Sequence, residues 1–597
     1  NAARDIHPPG YYWLLAVWRL AAGETEFALR ALSALASVLS VALTYALGRR
    51  LTSPAAGLVA ALFVALNTFS ITYGQEARMY SLLALWGAAG MVSLILFVQH
   101  PGRRTALVLA AVNAAGLWTQ YAYALVMLAQ GVLVVAWLIA EARHGVRRFA
   151  YLFGVYVVAN LFTFLLYVPW LPNAVQQLTT WRVAGVEPTP LPEAINQILG
   201  WLTFGVTYRY SSPGSFAIAN ILLLFGLIVV RGYGRPWWRM LVPVAWVLVS
   251  VAVVLALADF RASNLKLLLP AQIGIALWLA RGLWVVWHFA RDEMRRQGAV
   301  VSPERMARRA ALFRGAALAG GVWLVFNLIA GIEPLYSDPA YARADYRLIA
   351  RTIESRQQPG DAVILDAPNQ EEVFRYYYRG DAPVYSLPPG LGGSDEATRA
   401  AVVNILNAHE RAFVVFWGET ERDPNRVVET TLDARAFEVA DTWYGDVRLA
   451  SYVMPDETLD ITESGARFGE HITLVRYALS RETVAPGDVL QVRLDWTTDA
   501  PLDERYKVFV QLLDEDGVLV TQRDSEPGGG LALTTTWEPG DVVTDLHGLL
   551  IPDDLAPAHY LLIAGLYNLN EPAARLPVNE ADHLPLQSIT VEDVSGD

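Results

Sequence analysis

Two short polar segments near the start of the chain hold residues that could do chemistry. The first contains Asp5 and His7, followed by two prolines and Tyr12, and the second contains Glu76 and Arg78. A carboxylate can deprotonate a hydroxyl nucleophile or hold a divalent cation, and a guanidinium pairs with phosphate oxygens through parallel hydrogen bonds. Both segments also have a purely structural interpretation, the first as a loop kink before a helix and the second as an ion pair at a helix end. We expect Asp5, His7 and Glu76 to be catalytic.

Other cations and aromatic residues lie in comparable places between apolar runs. Candidates for binding a phosphate are Arg30, Arg78, Arg261 and Lys266. Candidates for lining a substrate pocket are Tyr12, Tyr80, Tyr121, Trp181 and Tyr208. The alternative is that the cations anchor helix ends at lipid headgroups and that the aromatic residues form an interfacial belt. The histidines show no metal-ligand spacing, so no metal site is predicted, although a divalent cation held by an acid stays open.

The elements between these segments are apolar runs of about the length that a membrane requires. Hydrophobic residues make up 54% of the chain, and the mean hydropathy is +0.31. Ten runs have lengths close to the roughly 20 residues that are needed to cross a bilayer. They are Phe27–Gly48, Pro54–Tyr73, Ser81–Val98, Thr105–Thr119, Ala124–Ala140, Phe149–Val168, Phe216–Val230, Met240–Ala258, Leu267–Phe289 and Gly315–Gly331. The sequence therefore predicts an α-helical polytopic membrane domain over residues 1–332.

The charge pattern predicts how this domain is oriented. Residues 1–332 contain 26 lysines and arginines against 11 acids, and the bases concentrate in alternate loops. Basic loops face the cytoplasm, so the loops that hold the candidate residues face outward. The protein is expected to be a multi-pass protein of the cell membrane. The positive charge lies in short loops between apolar runs, which does not indicate nucleic-acid binding, and the absence of cysteine excludes disulfides and thiolate chemistry.

The second part of the chain has the composition of a water-exposed region. Residues 333–597 contain 20 bases and 47 acids, which is the remainder of the 46 and 58 in the whole chain. Buried-type strands at 362–365 and 412–417 alternate with helical patterns, which indicates an α/β domain over 333–460. Short alternating runs separated by glycine-rich turns indicate a β-sandwich over 467–597. Both domains are expected to be extracytoplasmic.

Two of these segments resemble a known enzyme family. The segment Asp5-Ile6-His7-Pro8-Pro9 before an aromatic run, with Phe27–Ser33 opening a span, resembles the first outer loop of GT-C-type glycosyltransferases of family 39. That family includes the protein O-mannosyltransferases and the aminoarabinose transferases of lipid A. Tyr73–Tyr80 is similar to the second outer motif of its bacterial members. The resemblance is best over residues 1–130 and is one of architecture up to residue 332.

The resemblance implies a GT-C-like membrane enzyme that moves a hexosyl or pentosyl group on the outer face of the membrane. Its donor would be a polyprenyl-phosphate-linked sugar, and its acceptor an envelope glycan, lipid or protein. Glu76 matches the second acidic position of the family. The first acidic pair of the family lies upstream of the His-Pro-Pro segment, where this chain has no sequence, so we expect N-terminal residues to be missing. The resemblance requires no redox cofactor.

Two other functions fit the same residues. The chain could be a non-catalytic membrane subunit or a surface protein whose outer domains bind a glycan or a protein partner. It could also be a ligase or polymerase that transfers a whole lipid-linked glycan. The presence of an acidic pair upstream of residue 1 would count against the first alternative, and the size of the product would distinguish the second.

Overall fold

The protein is described by a computed structural model that covers residues 7–142, 145–180, 189–228, 237–257, 262–297, 303–389, 394–418, 423–455 and 459–592. The chain divides into two compact units, a helical one that ends at Tyr341 and a second one that begins at Ala342. The second unit covers most of the range for which the sequence predicts an α/β domain and a β-sandwich.

The first unit contains fifteen α-helices in the described residues. They are α1 (Gly10–Ala22), α2 (Glu26–Leu51), α3 (Pro54–Leu66), α4 (Thr68–Gly74), α5 (Tyr80–Gln99), α6 (Arg103–Thr119), α7 (Tyr123–Ala142), α8 (Val146–Tyr167), α9 (Leu171–Thr180), α10 (Leu191–Phe204), α11 (Pro213–Gly226), α12 (Leu241–Leu257), α13 (Leu269–Gln297), α14 (Pro303–Ala330) and α15 (Ile332–Ser337). A helix therefore occupies each of the ten predicted apolar runs.

Most of these runs are long enough to cross a bilayer. Seven helical segments of the described residues meet the requirements of length and hydropathy, and the bent pair α3–α4 makes an eighth. The helices α6 and α11 are shorter, with 17 and 14 residues. In the span Asn264–Phe289, 89% of the most apolar window is buried, against 17% in Val146–Gln177. The segment containing α13 is therefore central, and the segment containing α8 is peripheral. The prediction of a polytopic helical membrane region is confirmed.

Local sequence explains where two of the helices begin and bend. The side chain of Thr25 accepts a hydrogen bond from the backbone N–H of Ala28 and caps α2. Asn67 separates α3 from α4, which differ in direction by 60°. Its Oδ1 accepts from the N–H of Phe69, and its Nδ2 donates to the carbonyl of Thr203 on α10. Asn67 thus starts a new helix and fixes it to α10, which is a typical way to stabilise a buried helix break.

The second unit contains four α-helices and two sheets in the described residues. The helices are α16 (Tyr346–Arg356), α17 (Glu371–Tyr377), α18 (Asp395–Leu406) and α19 (Val427–Asp433). The strands are β1 (Asp361–Asp366), β2 (Val384–Leu387), β3 (Arg411–Phe416), β4 (Phe437–Tyr444), β5 (Val447–Val453), β6 (Asp460–Phe468), β7 (Ile472–Leu479), β8 (Thr483–Val484), β9 (Val489–Thr498), β10 (Tyr506–Leu513), β11 (Leu519–Ser525), β12 (Val543–Leu550), β13 (Ala558–Asn568) and β14 (Leu584–Val591).

One sheet runs through both parts of this unit. Its nine strands have the order β2-β1-β3-β5-β4-β12-β9-β7-β6, and the other five have the order β11-β10-β13-β14-β8. The strand β1 pairs in parallel with β2 and β3, and the pair of His547 on β12 with Glu438 on β4 joins the α/β part to the sandwich part. The predicted mixture of an α/β layer and a β-sandwich is present, with a shared sheet.

Candidate active site at one end of the membrane helices

Glu76 and Arg78 lie in a non-helical loop between α4 and α5, which we call the site loop (Gln75–Met79). The hydroxyl of Ser33, in the second turn of α2, donates to the carbonyl oxygen of Arg78 at 3.0 Å. Gly74, the last residue of α4, lies so close to α2 that a Cβ on it would be 3.3 Å from the side chain of Ser37. The site loop therefore rests on α2. Because residues 75–79 are not helical, Glu76 and Tyr80 do not share a helix face as a continuous helix would require.

Tyr11, in α1, faces the same place. Its side chain is only 1% exposed, and Ser33, Arg78 and Glu76 are the polar groups around its phenol. The phenol oxygen makes no hydrogen bond of normal geometry to any described residue. Burial raises the pKa of Tyr11 to about 12, so the hydroxyl stays protonated at neutral pH and can donate a hydrogen bond. The sequence analysis had selected the neighbouring Tyr12, whose ring lies 5.6 Å from that of Tyr11.

Lys266 lies next to the residue that follows the site loop. Its Nζ lies 5.4 Å from the centroid of the Tyr80 ring, at the start of α5. The ring of Tyr80 contacts that of Tyr73 at 5.2 Å between centroids, and further contacts at 5.4 and 5.2 Å lead through Phe69 to Trp201. This row of rings links α4, α5 and α10. An ammonium over an aromatic face is attracted by the ring quadrupole, so the row also fixes the position of the cation.

Buried hydrogen bonds fix the helix that ends in the site loop. Thr68, the first residue of α4, is fully buried, and its hydroxyl lies 2.9 Å from that of Thr207. Ser70 donates to Oε1 of the buried Gln272 on α13 at 3.1 Å. Buried polar groups of this kind are costly unless paired, so these bonds select one position of α4 against its neighbours. The position of Gly74 and of the site loop follows from that of α4.

Two further predicted residues lie on elements that adjoin this cluster, and two others make their contacts elsewhere. His7 is half-buried beside the buried Pro8 and Pro9 at the start of α1. Arg30 is exposed on α2. Tyr121 accepts a hydrogen bond from Nε1 of Trp170 at 3.0 Å and donates to Gln177. Tyr208 packs against Gly200 and against the ring of Phe216, 6.4 Å away.

Asp5, Trp181 and Arg261 lie outside the described residues. Among the described residues, no group of three or more histidines, aspartates and glutamates is arranged to hold a metal ion. The cluster thus combines one carboxylate, one guanidinium, one ammonium and two buried tyrosines, contributed by Glu76, Arg78, Lys266, Tyr11 and Tyr80. Such a set can bind an anionic group with the cations and abstract a proton with the carboxylate.

Sequence reasoning missed Tyr11 and Ser33. The signal for Ser33 was present, because it is the first of several small hydroxyl residues on one side of an apolar helix. Ser40 and Thr44 follow it and are buried as well, and both donate to carbonyls of the preceding turn. Such a stripe indicates close helix packing, but only the tertiary contact distinguishes Ser33, whose hydroxyl leaves its own helix and bonds to the site loop.

Comparison with known proteins finds a family model that matches the first part of the chain. Residues 6–170 match the family model of dolichyl-phosphate-mannose-protein mannosyltransferases. This match confirms the predicted resemblance to GT-C glycosyltransferases of family 39 and includes both the His-Pro-Pro segment and the site loop. No curated protein matches the chain.

Several solved structures are similar to the chain at low identity. ArnT from Cupriavidus metallidurans in the apo state has 14% identity and a TM-score of 0.46, over 74% of this chain and 87% of that one. ArnT from the same organism bound to undecaprenyl phosphate has 16% identity and a TM-score of 0.44, over the same shares. The apo oligosaccharyltransferase of Archaeoglobus fulgidus has 10% identity and a TM-score of 0.42, over 99% of this chain and 91% of that one.

Proposed function

We propose that the protein transfers a sugar from a polyprenyl-phosphate-linked donor to a hydroxyl acceptor, and that the cluster around the site loop is its active site. The observation that carries the proposal is that Glu76 and Arg78 lie in the site loop near Tyr11, and that Lys266 lies over the ring of Tyr80, the residue that follows this loop. The family match over residues 6–170 supports the reaction class. We place this site on the extracytoplasmic face, because the loops at the opposite ends of the spans hold most of the arginines.

The chemistry of the donor explains why cations belong here. The lipid tail of a polyprenyl phosphate stays in the bilayer, so its phosphate lies at the membrane interface. Arg78 can pair with two phosphate oxygens, and Lys266 supplies a second positive charge at a position fixed by the ring of Tyr80. Both cations stabilise the negative charge that collects on the phosphate when it leaves.

The carboxylate of Glu76 acts as the general base of the reaction. Glu76 accepts the proton of the acceptor hydroxyl, and the resulting oxygen attacks the anomeric carbon of the sugar. The bond between that carbon and the phosphate oxygen breaks, and the polyprenyl phosphate leaves with the electron pair. The proton then passes from Glu76 to water. Asp5, His7, Arg30 and Arg261 remain further candidates for the acceptor side and for the donor phosphate.

Substitution of the two central residues tests the proposal. In membranes that contain the polyprenyl-linked donors and the acceptors of the native envelope, Glu76→Gln and Arg78→Ala should each abolish transfer while the protein still inserts and folds. Glu193→Gln is the matched control, because Glu193 is an exposed carboxylate on α10 that bonds only to Gln197 among the contacts of its side chain given by the structure. Wild-type activity in the Glu76 and Arg78 variants would overturn the assignment of the site.

A further inference from the structure

The membrane region ends in a short segment that touches the site loop. We call Gly331–Asp338 the exit segment, since it follows α14 and leads to the second unit, which begins at Ala342. It contains the six-residue helix α15. Two of its residues, one near each end of α15, connect it to the polypeptide before Glu76: Gly331 does so through Thr207, and Tyr336 does so directly.

The first contact lies at the start of the exit segment and is buried. Thr207 Oγ1 donates to the carbonyl oxygen of Gly331 at 2.9 Å and lies 2.9 Å from Oγ1 of Thr68. Thr68 is 0% exposed and Thr207 is 1% exposed. A Cβ on Gly331 would stand 2.7 Å from Thr207 Oγ1, so the approach requires glycine. Because Thr68 is the first residue of α4, the exit segment is joined to the beginning of that helix.

The second contact lies near the C-terminal end of the exit segment and is made directly to the site loop. Nε2 of Gln75 donates to the hydroxyl oxygen of Tyr336 at 2.5 Å. Gln75 is the first residue of the site loop and the direct neighbour of Glu76. The exit segment therefore bonds to the polypeptide on both sides of α4, at Thr68 through Thr207 and at Gln75 directly.

From these contacts we propose that the exit segment positions the site loop, with Tyr336 as the positioning residue that acts through Gln75. The inference deepens the proposed function and rests on it for the roles of Glu76 and Arg78. Two anchor points fix both the location and the direction of α4, whereas one would allow the helix to pivot. Any displacement of the exit segment thus changes where Glu76 and Arg78 stand relative to Lys266. Tyr336 does not itself need to touch a substrate.

Hydrogen exchange tests the contact without reference to activity. In the full chain in nanodiscs, Tyr336→Phe should speed amide exchange of residues 75–79 about two- to tenfold, the effect of one neutral hydrogen bond. Tyr560→Phe is the matched control, because the hydroxyl of Tyr560 donates to a carbonyl away from the exit segment, that of Ala556 at 2.8 Å. Unchanged exchange in the Tyr336 variant, or an equal change in the control, would overturn the inference.

Binding of undecaprenyl phosphate tests the consequence for the site. Gln75→Leu and Tyr336→Phe should each weaken binding about two- to tenfold. The double variant should bind as well as either single variant, because both substitutions remove the same hydrogen bond. Additive losses, or unchanged binding after faster exchange, would show that the exit segment does not position the site. If Arg78→Ala also binds normally, the proposed phosphate site fails, while the exchange result still decides whether Tyr336 holds the loop.

Discussion

The hydroxyl of Ser33 donates a hydrogen bond to the carbonyl oxygen of Arg78, with 3.0 Å between the two oxygens. Ser33 is fully buried in α2, whereas Arg78 lies 45 residues further along the chain in the site loop. The bond uses the backbone of Arg78 and leaves its guanidinium to other partners. The first long helix therefore orients a residue that we assign to phosphate binding, and the phenol of Tyr11 on α1 lies near both Ser33 and Arg78.

Removal of this hydroxyl should affect activity more than stability. Ser33→Ala leaves the Arg78 carbonyl without its donor, and the loss of one neutral hydrogen bond costs about 1 kcal/mol. We expect transfer to fall about three- to tenfold while the protein remains folded. Ser40→Ala is the control, since the Ser40 hydroxyl is equally buried but donates within its own helix, to Ala36 at 2.9 Å. Equal activity in the two variants would contradict the role given to Ser33.

Lys266 should contribute to the affinity for a phosphate at the membrane surface. Lys266→Met retains the length of the side chain and removes the charge that lies over the Tyr80 ring. We expect binding of undecaprenyl phosphate to weaken about tenfold and to lose part of its salt dependence. The chain has one other lysine, Lys507, so Lys507→Met is the control. Unchanged affinity and salt dependence in Lys266→Met would mean that Lys266 only anchors its helix.

Periodicity and charge predict the helices and strands of this protein well, but they do not predict how these elements contact one another. Every apolar run is helical, although one of them forms two helices, and buried-type runs such as 362–365 and 412–417 form strands β1 and β3. The bend at Asn67 was missed, because the two helices together read as one continuous apolar run. It depends on a bond to the carbonyl of Thr203, which is 136 residues away and cannot be recognised from local sequence.

In the candidate site, too, the residue types could be predicted from the sequence but their tertiary contacts could not. Glu76 and Arg78 could be selected by their type and by the family resemblance. The choice between Tyr11 and Tyr12 could not be made, since adjacent residues of a helix point in different directions and the packing of α1 decides which is buried. That packing is close, because a Cβ on Gly10 would be 2.5 Å from the carbonyl oxygen of Trp118 on α6.

Gly205 should be required for the close approach of α10 to α4. Its φ is +95°, and a Cβ on it would lie 2.7 Å from the backbone N of Thr68 and 2.8 Å from that of Phe69. Backbone atoms cannot rotate away, so Gly205→Ala should cost about 3 kcal/mol or more of folding free energy. Gly23→Ala is the matched control, with a φ of +86° and open space around it, and should cost about 1 kcal/mol. Similar melting temperatures of the two variants would show that the approach is not tight.

A buried carboxyl in the second unit should make its stability depend on pH. Asp433 ends α19, and its Oδ1 accepts a hydrogen bond from the hydroxyl of Tyr452 at 2.8 Å. Its Oδ2 makes no hydrogen bond to any described residue, and a Cβ on Gly529 would be 2.6 Å from it. Burial, together with the nearby carboxylates of Glu438 and Glu429, raises the pKa of Asp433 to about 8, although Arg448 acts in the opposite direction.

The sign of the effect follows from the two states of Asp433. An unfolded aspartate loses its proton near pH 4, whereas the folded one keeps it until about pH 8. The contribution of Asp433 to stability therefore declines as the pH rises from about 4 to 8. Asp433→Asn removes this titration, so the variant should melt at a higher temperature than the wild type at pH 8. Its melting temperature should also change less between pH 6 and 8 than that of the wild type. Asp503→Asn, at an exposed carboxylate, should change neither. Parallel pH profiles of the wild type and Asp433→Asn would contradict a protonated Asp433.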